Sequence, residues 1–156
     1  MKKSYLKRKK PWKPTKRTIL NARASNDTND TKDRIQALCR SVAIIRDGGC
    51  VLRAYPEAGA CGGYRKDGEL ILQYDHLNSR VHSVSFGDTR LGVLLCKRHH
   101  IFWKKQYPAQ YEKLVRKIIG KERCKLLDRV RADHRPYKMD WKLVEIGLTR
   151  ELENML

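Results

Sequence analysis

Gly92-Val93-Leu94-Leu95-Cys96-Lys97-Arg98-His99-His100 (GVLLCKRHH) is the stretch whose reading decides the fold. Gly92–Leu95 is a short apolar run that starts at a glycine, the pattern of a buried strand. Cys96 and His99 follow in C-x2-H spacing, which lets two ligands on one turn grip a single tetrahedral ion. A helix is expected to begin at Lys97. Upstream, Leu70–Tyr74 (LILQY) is a second strand, ending at Asp75-His76, and Cys50-Val51-Leu52 is a further strand candidate. Between them lies the turn region Gly59-Ala60-Cys61-Gly62-Gly63. Cys50, Cys61, Cys96 and His99 together supply four soft or borderline donors that suit Zn²⁺. Cys39 and Cys124 sit in helical apolar patterns and read as buried thiols.

The flanks of this small β region are helical in pattern. Ile35, Leu38, Val42 and Ile45 recur at helical spacing from about Asp33 to Arg46, and Gly48-Gly49 ends the run. After Pro108, helices are expected over Ala109–Ile119 up to Gly120, over Glu122–Ala132, and over Asp140–Asn154. In the last, Trp141, Val144, Leu148 and Leu152 form an apolar stripe, Asp140 can cap the N-terminus, and Gly147 interrupts the pattern. The fold class expected is α+β: a small zinc-stapled core with flanking α-helices. Residues 1–31 read as a basic, unstructured arm followed by the polar linker Asn21–Lys32, and residues 32–156 as one domain with a helix at 33–46, a zinc core at 50–106 and C-terminal helices at 108–155.

The chain holds 35 Lys and Arg against 17 Asp and Glu, a formal charge of +18. Such self-repulsion is tolerated chiefly by chains that meet a polyanion, so DNA is the expected partner. No apolar run follows the charged start MKKSYLKRKKPWKPTKR, and nothing approaches a membrane span, so the expectation is a cytoplasmic protein without membrane contact. Five cysteines, an odd number, fit metal ligands or buried thiols in a reducing compartment better than a disulfide framework. Phosphate contacts are expected from Lys7, Arg8, Lys9 and Lys10 in the arm, and from Arg80, His82, Arg90, Lys97, Arg98, Lys104 and Lys105 around the core.

Asp75, His76 and His100 are the candidate catalytic residues. The zinc staple would bring the strand end carrying Asp75-His76 against the helix start carrying His100. Neighbours on a helix point about 100° apart, so His99 can face the ion while His100 faces a cleft. Asp75 and His76 can share that cleft only if the strand bends or ends there, because strand neighbours point to opposite faces. Phosphodiester hydrolysis needs an activated water, a cation near the phosphate and groups that hold it. An imidazole, a carboxylate and nearby Arg or Lys match those needs.

These pieces resemble the HNH (ββα-metal) endonuclease superfamily: Tyr74-Asp75-His76 at one strand end, Leu94-Leu95-Cys96 at the next, and Lys97-Arg98-His99-His100 opening the helix. Ser79-Arg80-Val81-His82 and Asp88-Thr89-Arg90 are further similar to phage recombination nucleases of the NinG (Rap) type. The resemblance covers mainly Cys50–Lys105, about a third of the chain. It implies a ββα-metal, treble-clef-like core and a phage-encoded nuclease acting in recombination or DNA processing. It further implies His76 as general base, Asp75 and His100 as ligands of a catalytic Mg²⁺ or similar ion, and Cys50, Cys61, Cys96 and His99 as ligands of a structural zinc. The chain departs from the family pattern twice. Leu91 stands where an Asn orients the base, so either Asn78 or Asp88 substitutes or activity is reduced, and His99 stands where a second Cys is usual, which leaves open which of His99 and His100 holds the zinc. The rival readings are a zinc-dependent nucleic-acid-binding module without catalysis and an adaptor with a zinc knob. A homodimer is one arrangement the C-terminal helices could serve.

Overall fold

The computed structural model describes residues 16–78, 83–133, 135 and 138–156. Two antiparallel strands, β1 (Leu72–His76) and β2 (Gly92–Cys96), lie at its centre, in a register that sets Leu72 opposite Cys96 and His76 opposite Gly92. All five residues of β2 are buried, because helices cover both faces of the pair. On one face Tyr74 and Leu94 pack with Ile35, Cys39 and Ala43 of the first helix, α1 (Lys16–Asp47), with Phe86 of the four-residue α2 (Ser83–Phe86), and with Leu148. On the other face Val93 and Leu95 pack with Leu52, Trp103, Tyr111, Val115 and Leu127. The alternation along β2 is the period of a strand buried on both sides. The described residues thus form an α+β fold with a small two-stranded sheet.

A two-stranded sheet has two open edges, and side chains fill the one on β2. Asp47 accepts from the Leu94 N–H at 2.9 Å, while Arg46 and Arg123 both donate to the Gly92 carbonyl, at 2.9 and 2.7 Å. This blunts an edge that would otherwise invite another strand. It also explains why Cys50-Val51-Leu52 is not a strand. With that edge occupied, Val51–Ala54 winds into a 3₁₀ turn that satisfies its own backbone, Arg53 N–H to the Cys50 carbonyl and Tyr55 N–H to the Leu52 carbonyl, and buries Leu52. β1 likewise starts two residues later than the apolar run LILQY, since Leu70 is used in an isolated bridge with Tyr64.

The polar stretch Asn21–Lys32, expected as a linker, lies inside α1, as do Lys16 and Arg17 of the basic arm. A helix anchored by Ile35, Cys39 and Ala43 can extend backwards one bond per residue without a new nucleation cost, and Asn, Asp and Thr each oppose it by only about 0.7 kcal/mol or less.

After β2 the chain turns through a π-helical segment, Arg98–Trp103, into the short α3 (Lys104–Gln106). Next comes α4 (Pro108–Ala132), which breaks at Gly120 (φ 78°, ψ 172°), a conformation that only glycine adopts readily. The break folds the two halves back on each other. Arg131 bonds Glu112 at 2.6 Å and Arg116 bonds Asp128 at 2.6 Å, although an unbroken helix would hold either pair about 18 Å or more apart. The separate helices expected on either side of Gly120 are therefore observed. Finally α5 (Trp141–Glu153) is capped by the Asp140 carboxylate, which accepts from the backbone N–H groups of Lys142 and Leu143. It runs unbroken through Gly147 and lays Trp141, Val144 and Leu148 against α1. Among the described residues no helix is long and apolar enough to cross a membrane.

Candidate functional site

Cys50 precedes the 3₁₀ turn, Cys61 sits in the glycine-rich loop, Cys96 ends β2, and His99 lies one turn further on. Their ligand atoms all fall within 4.8 Å of one another. His99 Nδ1 is 3.2 Å from Cys50 Sγ, 3.3 Å from Cys96 Sγ and 3.9 Å from Cys61 Sγ. Tetrahedral Zn²⁺ with ordinary Zn–S and Zn–N bonds separates sulfur from nitrogen by about 3.6 Å, so this group could hold such an ion. The tautomer agrees. His99 Nε2 is 3.0 Å from the Ala58 carbonyl, which can only accept, so the proton is on Nε2 and the Nδ1 lone pair faces the sulfurs. Burial holds His99 below the usual imidazole range, hence neutral near pH 7 as a ligand must be. Burial also pushes the Cys50 thiol up to about 12 and raises Cys61, to which the charge of Cys96 adds; a divalent cation would reverse that preference by taking the proton's place. Cys50, Cys96 and His99 are buried, so a tetrahedral ion here would be closed in rather than left with an open position.

Arg98, expected on phosphate, instead clamps the loop bearing Cys61. Its side chain packs across Gly59 and Gly62 and donates to the Ala60 carbonyl. Lys97 lies over Gly63 in the same way, where a Cβ would collide with the lysine stem. The glycines let the loop approach this closely. Cys39, read as a buried thiol, is buried against the Phe86 carbonyl, whereas Cys124, read the same way, is only half-buried against the Arg116 carbonyl; both lie apart from the four-residue group.

Asp75 and His100 do come together beside the Cys₃His group. Gln73 and Asp75, two apart on β1, share one face, and His100 touches both: Nε2 is 3.2 Å from Asp75 Oδ1 and Nδ1 is 2.8 Å from Gln73 Oε1. Lys104 Nζ lies 2.7 and 2.9 Å from the two Asp75 oxygens, and the Tyr111 hydroxyl donates to Oδ2. Burial alone would raise the Asp75 carboxyl, but bonds from His100, Lys104 and Tyr111 outweigh it and hold the group below the usual carboxylate range. Lys104, expected on phosphate, is thus the counter-ion of Asp75. Its ammonium bonds both Asp75 oxygens, so a divalent ion at this pair would have to displace it.

His76 lies across β1 from this pair. The strand stays regular through His76, so its ring points to the α1 and α5 side, stacked on Phe86 at 5.2 Å and edge-on to Tyr74 at 4.9 Å. The expected meeting of all three residues in one cleft is therefore met by Asp75 and His100 only. Leu91 is buried in the core, and the Asp88 carboxylate, one candidate to replace the missing Asn, is taken up by Arg90 at 2.7 and 2.9 Å. Asn78, the other candidate, is buried just beyond the strand end. Lys97, Arg98, Lys105 and Arg90 are exposed. Arg80, His82, Lys7, Arg8, Lys9 and Lys10 lie outside the described residues.

Sequence reasoning missed Lys104 as an ion-pair partner, Tyr111 and Gln73. The i, i+2 spacing of Gln73 and Asp75 was a readable signal; nothing local connects Tyr111 to a residue thirty-six positions away. No protein-family model, curated protein or solved structure matches the chain.

Proposed function

We propose that this chain is an endonuclease of the HNH type that hydrolyses DNA phosphodiester bonds, phage-encoded and serving recombination or DNA processing, and that Cys50, Cys61, Cys96 and His99 hold a structural zinc. The observation that supports it is the Asp75–His100 pair at 3.2 Å, held at the junction of strand end and helix start beside the Cys₃His group. The formal charge of +18 supplies the attraction for the backbone. Gln73 and Asp75 fix the orientation of the His100 ring, and Lys104 adds a positive charge beside it. A specific observation favours a second reading, a zinc-stapled nucleic-acid-binding module: Asp75 is already neutralised by Lys104, and His76 is packed on the far face of β1.

Plasmid, single-stranded and branched DNA incubated with the purified protein in Mg²⁺, Mn²⁺ or Ni²⁺ separate the two. The endonuclease reading expects nicking or cleavage that His100→Ala and Asp75→Asn abolish while zinc content and helicity stay at the parent's level. Salt-sensitive binding with no cleavage in any of these metals establishes the binding module instead. The same assay carries His76→Ala, and undiminished cleavage removes His76 from the role of general base.

A further inference from the structure

The open edge of β1 does not face solvent directly. Between it and α1 lies a cleft of about 360 Å³, lined by Gln36 and Arg40 of α1, by Gln73 and Tyr74 of β1, and by Arg65 and His100. The register explains the edge: Lys97 N–H bonds the Ile71 carbonyl and Leu77 N–H bonds the Leu91 carbonyl, so odd-numbered residues of β1 turn their backbone groups to β2. Leu72 and Tyr74 turn theirs away from it. One wall of the cleft thus offers backbone polar groups, and the other offers positive charge.

Arg40 is the informative residue. Its Nε is buried and has no hydrogen-bond partner, and no acid among the described residues pairs with its guanidinium. The guanidinium therefore brings to the cleft a positive charge that no described carboxylate neutralises, and an anion seated there would do so. Arg65 adds a second guanidinium, shared with Glu69 at 3.0 Å. Guanidinium forks suit phosphate oxygens in charge and in geometry. His100 borders the same space and reaches Asp75 on its other side.

We infer that this cleft is a phosphate subsite, with Arg40 as its principal contact, and that it seats one phosphate of a nucleic-acid backbone against His100. The inference deepens the nucleic-acid reading and rests on it. Arg40 is a binding residue here, and the backbone would run along the β1 edge.

The test compares the parent with Arg40→Met, which keeps the apolar stem and removes the fork; equal thermal midpoints establish that both fold. Each is titrated with a short DNA duplex, with a single strand of the same sequence, and with inorganic phosphate, across a range of salt. The expected loss of duplex affinity is about tenfold at low salt, and the log–log salt slope becomes shallower by about one, as for one lost phosphate contact. Inorganic phosphate should shift the Arg40 Nε–H resonance of the parent. Duplex affinity and slope unchanged in Arg40→Met, with inorganic phosphate not bound by the parent, overturn the subsite. Tight binding of inorganic phosphate alongside unchanged duplex binding overturns the backbone assignment in favour of a free phosphate. A parent that binds in an Arg40-dependent way yet never cuts leaves the subsite standing and removes the hydrolytic reading. Cleavage by a parent whose DNA binding ignores Arg40 does the reverse.

Discussion

Removal of the ion from the Cys₃His group is the perturbation with the clearest expected size. Four donors with His99 Nδ1 3.2–3.9 Å from the sulfurs predict one ion per chain with no open coordination position. Such an ion would tie the loop of Cys61 and the turn after Cys50 to the end of β2, where Leu52 and Ala58 contribute apolar burial. Binding to the folded chain alone stabilises it by RT ln(1 + [L]/Kd), about 4 kcal/mol when free ion exceeds Kd a thousandfold. For a domain of this size each kcal/mol moves the thermal midpoint by about 2–4 °C, so a chelator should lower it by about 8–16 °C, reversibly on adding Zn²⁺. Elemental analysis should find one zinc per chain in the parent and none in Cys96→Ser. Cys124→Ser should retain full zinc, because Cys124 lies against the Arg116 carbonyl instead. Full zinc content in Cys96→Ser, or a midpoint indifferent to chelation in a zinc-containing parent, would refute the assignment.

Two further outcomes follow from the packing. Gly92→Ala places a methyl group in the Tyr74 ring, whose hydroxyl also donates to the Asp88 carbonyl at 3.2 Å; the expected cost is about 2–4 kcal/mol in denaturant unfolding, relieved when Tyr74 is replaced by Leu in the same chain. Glu112 links the halves of α4, and bonds from Arg131, opposed by partial burial and reinforced by Arg116, hold its carboxyl below the usual 4.5. A depressed carboxyl stabilises the fold fully above its unfolded value and loses that contribution as acid protonates it. The midpoint difference between parent and Glu112→Gln should therefore be constant from pH 7 to about pH 5 and shrink below about pH 4.5; a difference that grows with acid contradicts the linkage.

Much of the site was legible because its signals are local. Cys96 and His99 sit three apart, the apolar run GVLLC is short and bounded, and helical periodicity marks Ile35, Leu38 and Val42, although Ile45 of the same run is 40% exposed. The strand expected at Cys50 failed for a reason outside its own residues: the edge it would have joined is taken by Asp47, Arg46 and Arg123. Polar composition at Asn21–Lys32 suggested a linker, yet composition does not register a helix that continues from an anchored segment.

The sequence by itself determined the four metal-type ligands, the two strands of the sheet and most of the buried helix faces, Ile45 excepted, since spacing and periodicity are properties of neighbouring residues. Tertiary structure decided what each catalytic candidate touches. Strand alternation sent Asp75 and His76 to opposite faces, and only the packing of α3 and α4 against that strand brought Lys104 and Tyr111, twenty-nine and thirty-six residues away, onto Asp75. Such partners are chosen by which surfaces the folded chain presses together. No local pattern encodes that choice.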